Sequence, residues 1–172
     1  VNIDGDFAVS LSDTGSVSAA DLNTINAATT GLITATNITA ITGTASEIAT
    51  LISDEADSGN GVNLAANVKA TVTGYVAAAD LITINNGTTG LITATGVTKI
   101  TGTAAAVKAV IDAEADTGNA INLDTDFLVT ITPAGTAAAT DLSGINDATS
   151  NLITATNVTE ITGTVAAVKA VT

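Results

Sequence analysis

Two hydrophobic periods alternate along the chain. Phe7, Val9 and Leu11 are interleaved with Ala8, Ser10 and Ser12. The pattern returns as Val68, Ala70 and Val72 against Lys69, Thr71 and Thr73, and as Phe127, Val129 and Ile131 against Leu128, Thr130 and Thr132. A period of two sends every second side chain to one face, so these runs predict strands with an apolar face and a largely hydroxylated one. A second strand is predicted further on, with Ile33 and Ala35, Ile92 and Ala94, or Ile153 and Ala155 facing one way. Thr34 and Thr36, Thr93 and Thr95, or Thr154 and Thr156 face the other. Thr favours strands because its branched side chain fits a pleated surface.

Between these runs the period lengthens to that of a helix. AADLNTIN, AADLITIN and ATDLSGIN place Leu22 with Ile25, Leu81 with Ile84, and Leu142 with Ile145 on one stripe. Asp21, Asp80 and Asp141 fall in the first turn, where a carboxylate complements the helix dipole. A second helix follows Gly-Thr each time, with Thr44, Thr103 and Thr164 as N-caps and Glu47 completing a capping box. Its buried stripe is predicted at Ile48, Leu51 and Ile52, at Val107, Val110 and Ile111, and at Val168 and Val171. Helices this short are marginal alone and must dock to persist.

The chain is one unit written three times. LITATNITAITGTASEIATLI, LITATGVTKITGTAAAVKAVI and LITATNVTEITGTVAAVKAV recur about 60 residues apart. We divide it into repeats at 1–61, 62–120 and 121–172, the third lacking the acidic segment that closes the other two. A strand and helix of about 30 residues, used twice per repeat, is the size of one solenoid turn. Strands joined through helices run parallel. The expected fold is therefore α/β: a continuous repeat solenoid resembling a leucine-rich-repeat array in architecture, with a parallel sheet and short helices on one side. A doubly wound open sheet is the competitor, but it needs helices on both faces, which a hydroxylated face disfavours.

Composition narrows the chemistry. The 172 residues include no His, Cys, Met or Trp, and only Phe7, Tyr75 and Phe127 are aromatic. Ala and Thr are each roughly one residue in five, far above average usage. A core of Ala, Val, Ile and Leu buries little area per side chain and must be thin and closely spaced. Lacking His and Cys, the chain has no Ser-His-Asp or Cys-His machinery, thiolate zinc site or redox dithiol. The acids lie in hydrophilic segments or at helix starts, so we expect no enzyme activity. With Lys69, Lys99, Lys108 and Lys169 as its only cationic side chains and a net charge of −13, nucleic acid and anionic membrane surfaces are not expected partners. No signal peptide or membrane-spanning run is expected either. The chain opens in a strand pattern and stops within a helical one, which reads as a piece of something longer.

Two features are candidates for binding. DEADSGNG at 54–61 and DAEADTGNA at 112–120 lead toward Asn-x-Asp-x-Asp patterns at Asn2, Asp4 and Asp6 and at Asn122, Asp124 and Asp126. Clustered hard oxygens suit Ca²⁺, and Asp4, Asp6, Asp112, Asp116, Asp124 and Asp126 are the candidate ligands. The middle repeat carries Asn63, Ala65 and Asn67 instead, and acidic turns of this composition form without a metal. The Thr-x-Thr ranks, on strands about 4.8 Å apart, resemble the ice-contacting face of some solenoid ice-binding proteins. Asn26, Asn85 and Asn146 recur beside a helix end, as C-caps or as an amide ladder between turns. Asn37, Asn86 and Asn157 begin glycosylation sequons.

At GTAAAVKAV, AADLITIN and LITATNVTEITGT the chain resembles the repeat tracts of giant bacterial cell-surface proteins, notably cyanobacterial ones associated with non-flagellar swimming, and tracts in adhesins. That resemblance implies an extracellular or cell-surface, acidic, non-enzymatic structural role, and it carries over no site residues. The expectation is a rigid rod in a surface layer, fibre or filament, its partners being adjoining repeats or other copies stacked head to tail. The alternative is a Ca²⁺-dependent adhesin or ice-binding module using the acidic segments or the Thr-x-Thr face.

Overall fold

The computed structural model describes residues 3–55, 61–114 and 121–172. In chain order the elements are β1 (Val9–Ser10), β2 (Ser16–Ser18), α1 (Ala19–Ala28), β3 (Ile33–Thr34), β4 (Ala40–Gly43), α2 (Ala45–Glu55), β5 (Val62–Asn63), β6 (Lys69–Ala77) and α3 (Ala78–Gly87). They continue with β7 (Ile92–Gly102), α4 (Ala104–Glu114), β8 (Ile121–Leu123), β9 (Leu128–Ile131), β10 (Gly135–Ala138), α5 (Ala139–Ala148), β11 (Ile153–Thr154), β12 (Val158–Thr162) and α6 (Val165–Val171). The fold is α/β, and its strand pairs are parallel.

Helix starts follow the sequence closely. Thr44 Oγ1 accepts from Glu47 N at 3.2 Å while Glu47 Oε2 accepts from Thr44 N at 2.9 Å, a complete capping box. These bonds to Thr44 hold the Glu47 carboxyl below its ordinary pKa. Thr103 and Thr164 accept from Ala106 N and Ala167 N. Ile48, Leu51, Ile52, Val107 and Val110 are buried as expected, whereas Ile111, Val168 and Val171 are half-buried. Each helix packs against the next in sequence, from α1 through α6.

The strands are more numerous than their pattern suggests. Where one strand was expected before each first helix, the chain makes two segments: β1 and β2, the 69–72 and 75–77 parts of β6, or β9 and β10. In the middle repeat the joint is Gly74, whose φ of +81° a side chain would strain. The second expected strand is likewise followed by another segment, because Ile38 N donates back to Ala35 O at 3.1 Å and turns the chain. Ala35 and Ile38 are three apart, so period-two counting misses the strand beyond that turn.

Strand order in each sheet follows chain order without reversal: β1-β3-β5, then β2-β4-β6-β7-β9-β11 with β8 also on β7, then β10-β12. Resolved by register, the central sheet holds two ladders that share β6 and β7. One has five members: β2, β4, residues 69–72, residues 92–94 and β8. Its inward row is Val17, Ile41, Ala70, Ile92 and Ile121, and all but Val17 are essentially fully buried. The other runs through residues 75–77, 99–102, β9 and β11, with Val76, Ile100, Val129 and Ile153 inward. These rows and the helix stripes form one core cluster.

Candidate functional site

Each outward row repeats the ladder in polar form. Ser18, Thr42, Thr71, Thr93 and Asn122 occupy matched register positions on five neighbouring strands, as do Ser10, Thr34 and Asn63 on three. The paired threonines lie on the outer face: Thr36, Thr95, Thr154 and Thr156 are exposed, and Thr34 and Thr93 half-buried. On the same face Tyr75 stands 78% exposed with Lys99 Nζ 5.9 Å from its ring centre. That distance suits a cation–π contact. In the third repeat the matching pair is Thr136 and Glu160, joined at 2.9 Å.

Among the described residues the candidate Ca²⁺ ligands form no group of three. Asp4 and Asp124 are exposed and accept from the next backbone amide, Gly5 N and Thr125 N, each at 2.8 Å. This is turn chemistry of the kind Asp performs unaided. Asp6 and Asp126 are exposed on the surface, and Asp112 pairs with Lys108 Nζ at 2.5 Å. Asp116 lies outside the described residues. Among the described residues no three acidic side chains converge closely enough to hold a metal ion.

The structure also picks out three threonines that the strand and helix periods pass over. Thr29, Thr88 and Thr149 are the buried polar side chains among the described residues, each just past a helix. Their hydroxyls donate to Phe7 O, Val68 O and Phe127 O at 2.5–2.6 Å and accept from Gly31 N, Gly90 N and Asn151 N. Each hydroxyl therefore ties its own turn to the strand segment that precedes the helix. The signal in the sequence was the Thr-Thr or Thr-Ser pair at the same place in every repeat. These threonines, and not Asn26, Asn85 and Asn146, are the C-cap residues. Asn26 instead donates to Asp54 Oδ2 at 2.9 Å, bridging α1 to α2.

The two ends of the stack differ from its middle. Leu64, Val68, Ala70 and Val72, like Leu123, Phe127, Val129 and Ile131, are at most 5% exposed. Their counterparts in the first repeat are Ile3, 58% exposed, and Phe7, Val9 and Leu11, half-buried. At the other end Ile153, Ala155, Val158 and Ile161 are half-buried, where their counterparts in the first two repeats are fully covered. A cleft of about 750 Å³ opens there between α5, β11 and the end of α6, lined in part by Leu142, Asn146, Leu152 and Val171.

No protein-family model, curated protein or solved structure matches the chain. Its geometry must therefore speak for function unaided. What the arrangement offers is a regular hydroxylated face and two ends whose apolar residues are less covered than those between them. Among the described residues no helix is long and apolar enough to cross a membrane.

Proposed function

We propose that the chain is a non-enzymatic structural segment of an extracellular surface protein, fibre or filament, built as a solenoid of the leucine-rich-repeat kind. One observation carries this reading: strands and helices both stack in chain order, and equivalent residues make the same contacts at each step. Such an array extends by adding turns, without needing a separate core for each. An acidic surface lacking Cys suits the cell exterior. The resemblance to bacterial surface-protein repeats points the same way.

Excision of the middle repeat tests it. Removing residues 62–120 joins Gly61 to Ile121, a junction equivalent to the one between Gly61 and Val62. A solenoid so shortened still unfolds cooperatively, at lower stability, and small-angle scattering shows a shorter particle of unchanged cross-section. A chain that loses cooperative unfolding on this excision would show that the three repeats form one closed core, and the solenoid reading would fail.

A further inference from the structure

We infer that the C-terminal turn is a docking face for the first turn of a second copy of this chain, joined head to tail in one defined strand register. The inference rests on the solenoid reading above and adds the partner and the pairing. Besides the four-membered ladder of the central sheet, two incomplete ladders lie at opposite ends of the molecule. The complete ladder has five places, filled in order by β2, β4, residues 69–72, residues 92–94 and β8. By repeat equivalence the C-terminal pair β10-β12 fills the first two of these places, with no third strand beside β12 among the described residues. The N-terminal trio β1-β3-β5 fills the last three, and among the described residues no strand pairs with the outer side of β1. Two strands and three strands make the missing whole.

The side chains agree with this reading. Joined end to end, the inward row reads Ala137, Ile161, Val9, Ile33 and Val62, matching Val17, Ile41, Ala70, Ile92 and Ile121 of the complete ladder. The outward row reads Ala138, Thr162, Ser10, Thr34 and Asn63, against Ser18, Thr42, Thr71, Thr93 and Asn122. The apolar residues left uncovered at each end, Phe7, Val9 and Leu11 on one side and Val158 and Ile161 on the other, are those the joint would bury. The register follows from the internal joints, where Ala40 pairs with Lys69 and Lys99 with Leu128. Across the new joint Glu160 pairs with Ala8, Ile161 with Val9, and Thr162 with Ser10. A head-to-tail contact of this kind does not close on itself as a two-fold dimer does, so it propagates. Both partners carry −13, so association strengthens as salt screens their repulsion.

The chain has no Cys, which makes cross-linking clean. Ala8 and Glu160 are both exposed, so the A8C/E160C variant folds as the parent does, which circular dichroism checks. In register, their Cα atoms lie about 5 Å apart, within disulfide range, and on a single molecule they sit at opposite ends. Mild oxidation should give a ladder of covalent oligomers. The A8C/T162C variant, displaced by two residues to about 8 Å, should cross-link at least about tenfold more slowly. Equal or faster cross-linking of the displaced variant overturns the register. Absence of oligomers from both, with sedimentation showing monomers at high protein and salt concentration, overturns the docking itself. Neither result touches the solenoid reading, which the excision test decides separately.

Discussion

Replacing Thr88 by Val removes one hydroxyl from the middle of the stack and leaves the side-chain outline nearly intact. Thr88 is 4% exposed, and its Oγ1 donates to Val68 O at 2.5 Å and accepts from Gly90 N at 2.9 Å. Water has little access, so the variant loses two bonds of about 1 kcal/mol net each, and the stranded Gly90 amide adds a desolvation cost of about 1 kcal/mol or more. The expected loss is about 3 kcal/mol, which for a chain of this length lowers Tm by roughly 6–12 °C. Urea unfolding followed by far-UV circular dichroism measures the first figure, and hydrogen exchange at the 88–92 amides localises it. Thr88→Ser keeps both bonds and should cost only about 1 kcal/mol for the lost methyl. Thr149→Val, at 9% exposure beside the open end, should cost less than Thr88→Val because water can reach the freed groups. A Thr88→Val variant within about 0.5 kcal/mol of the parent would refute the claim that these hydroxyls fasten one turn to another.

Other outcomes follow from single contacts. A Cβ on Gly87 would lie 2.0 Å from Ile52 Cγ2, so Gly87→Ala should destabilise by about 1–2 kcal/mol, and in an Ile52→Ala background that penalty should largely vanish in a double-mutant cycle. Burial raises the Glu55 carboxyl above 4.5, against the opposing bond from Leu64 N, so the folded state holds its proton more tightly than the unfolded state. Glu55→Gln should therefore stabilise the protein at neutral pH, the advantage shrinking as pH falls through the raised pKa and disappearing below 4.5; a pH-independent difference in urea midpoints would count against this. Adding millimolar Ca²⁺ to chelated protein should leave Tm unchanged, since the described candidate ligands form no group of three.

The helices were legible because their signals are local: a Thr cap, an Asp in the first turn and an apolar stripe all lie within a dozen residues. Parallel pairing and the outward threonines followed from the internal repeat. What escaped notice was the second strand segment on each side of a turn. Segments such as Ser16–Ser18 and Ala40–Gly43 hold only three or four residues, too few to display a period, and are fixed by the neighbouring turn of chain. The Thr88 cap escaped for a related reason. Its partners are the Val68 carbonyl, 20 residues away, and an amide two residues on, and neither leaves a mark on hydrophobic periodicity. In the Asp-rich segments composition alone does not separate cation ligands from turn formers, and the structure shows Asp4 and Asp124 each accepting from the adjacent amide.

The ladders carry a further consequence for shape. Each enters beside the helix that follows it and leaves, four steps later, beside the helix that precedes it: β2 runs directly into α1, whereas β8 comes next after α4. The strands therefore shift sideways by one place per repeat relative to the helix row, which is a twist of one layer against the other. Curvature adds to this. Strands stack about 4.8 Å apart and helices 8–10 Å apart, a mismatch of roughly 3–5 Å at each step across layers about 10 Å apart. In the solenoid proposed above, a straight stack would have to stretch one layer or compress the other, so each step should bend by roughly 20–30° with the helices outside. Curvature combined with twist gives a helix, so the rod expected from sequence should be a coiled one. Cross-linked A8C/E160C oligomers imaged by electron microscopy should grow as arcs that rise out of plane. Straight fibres would show that the helix row takes up the mismatch in spacing by staggering, and closed flat rings that the sideways shift does not accumulate.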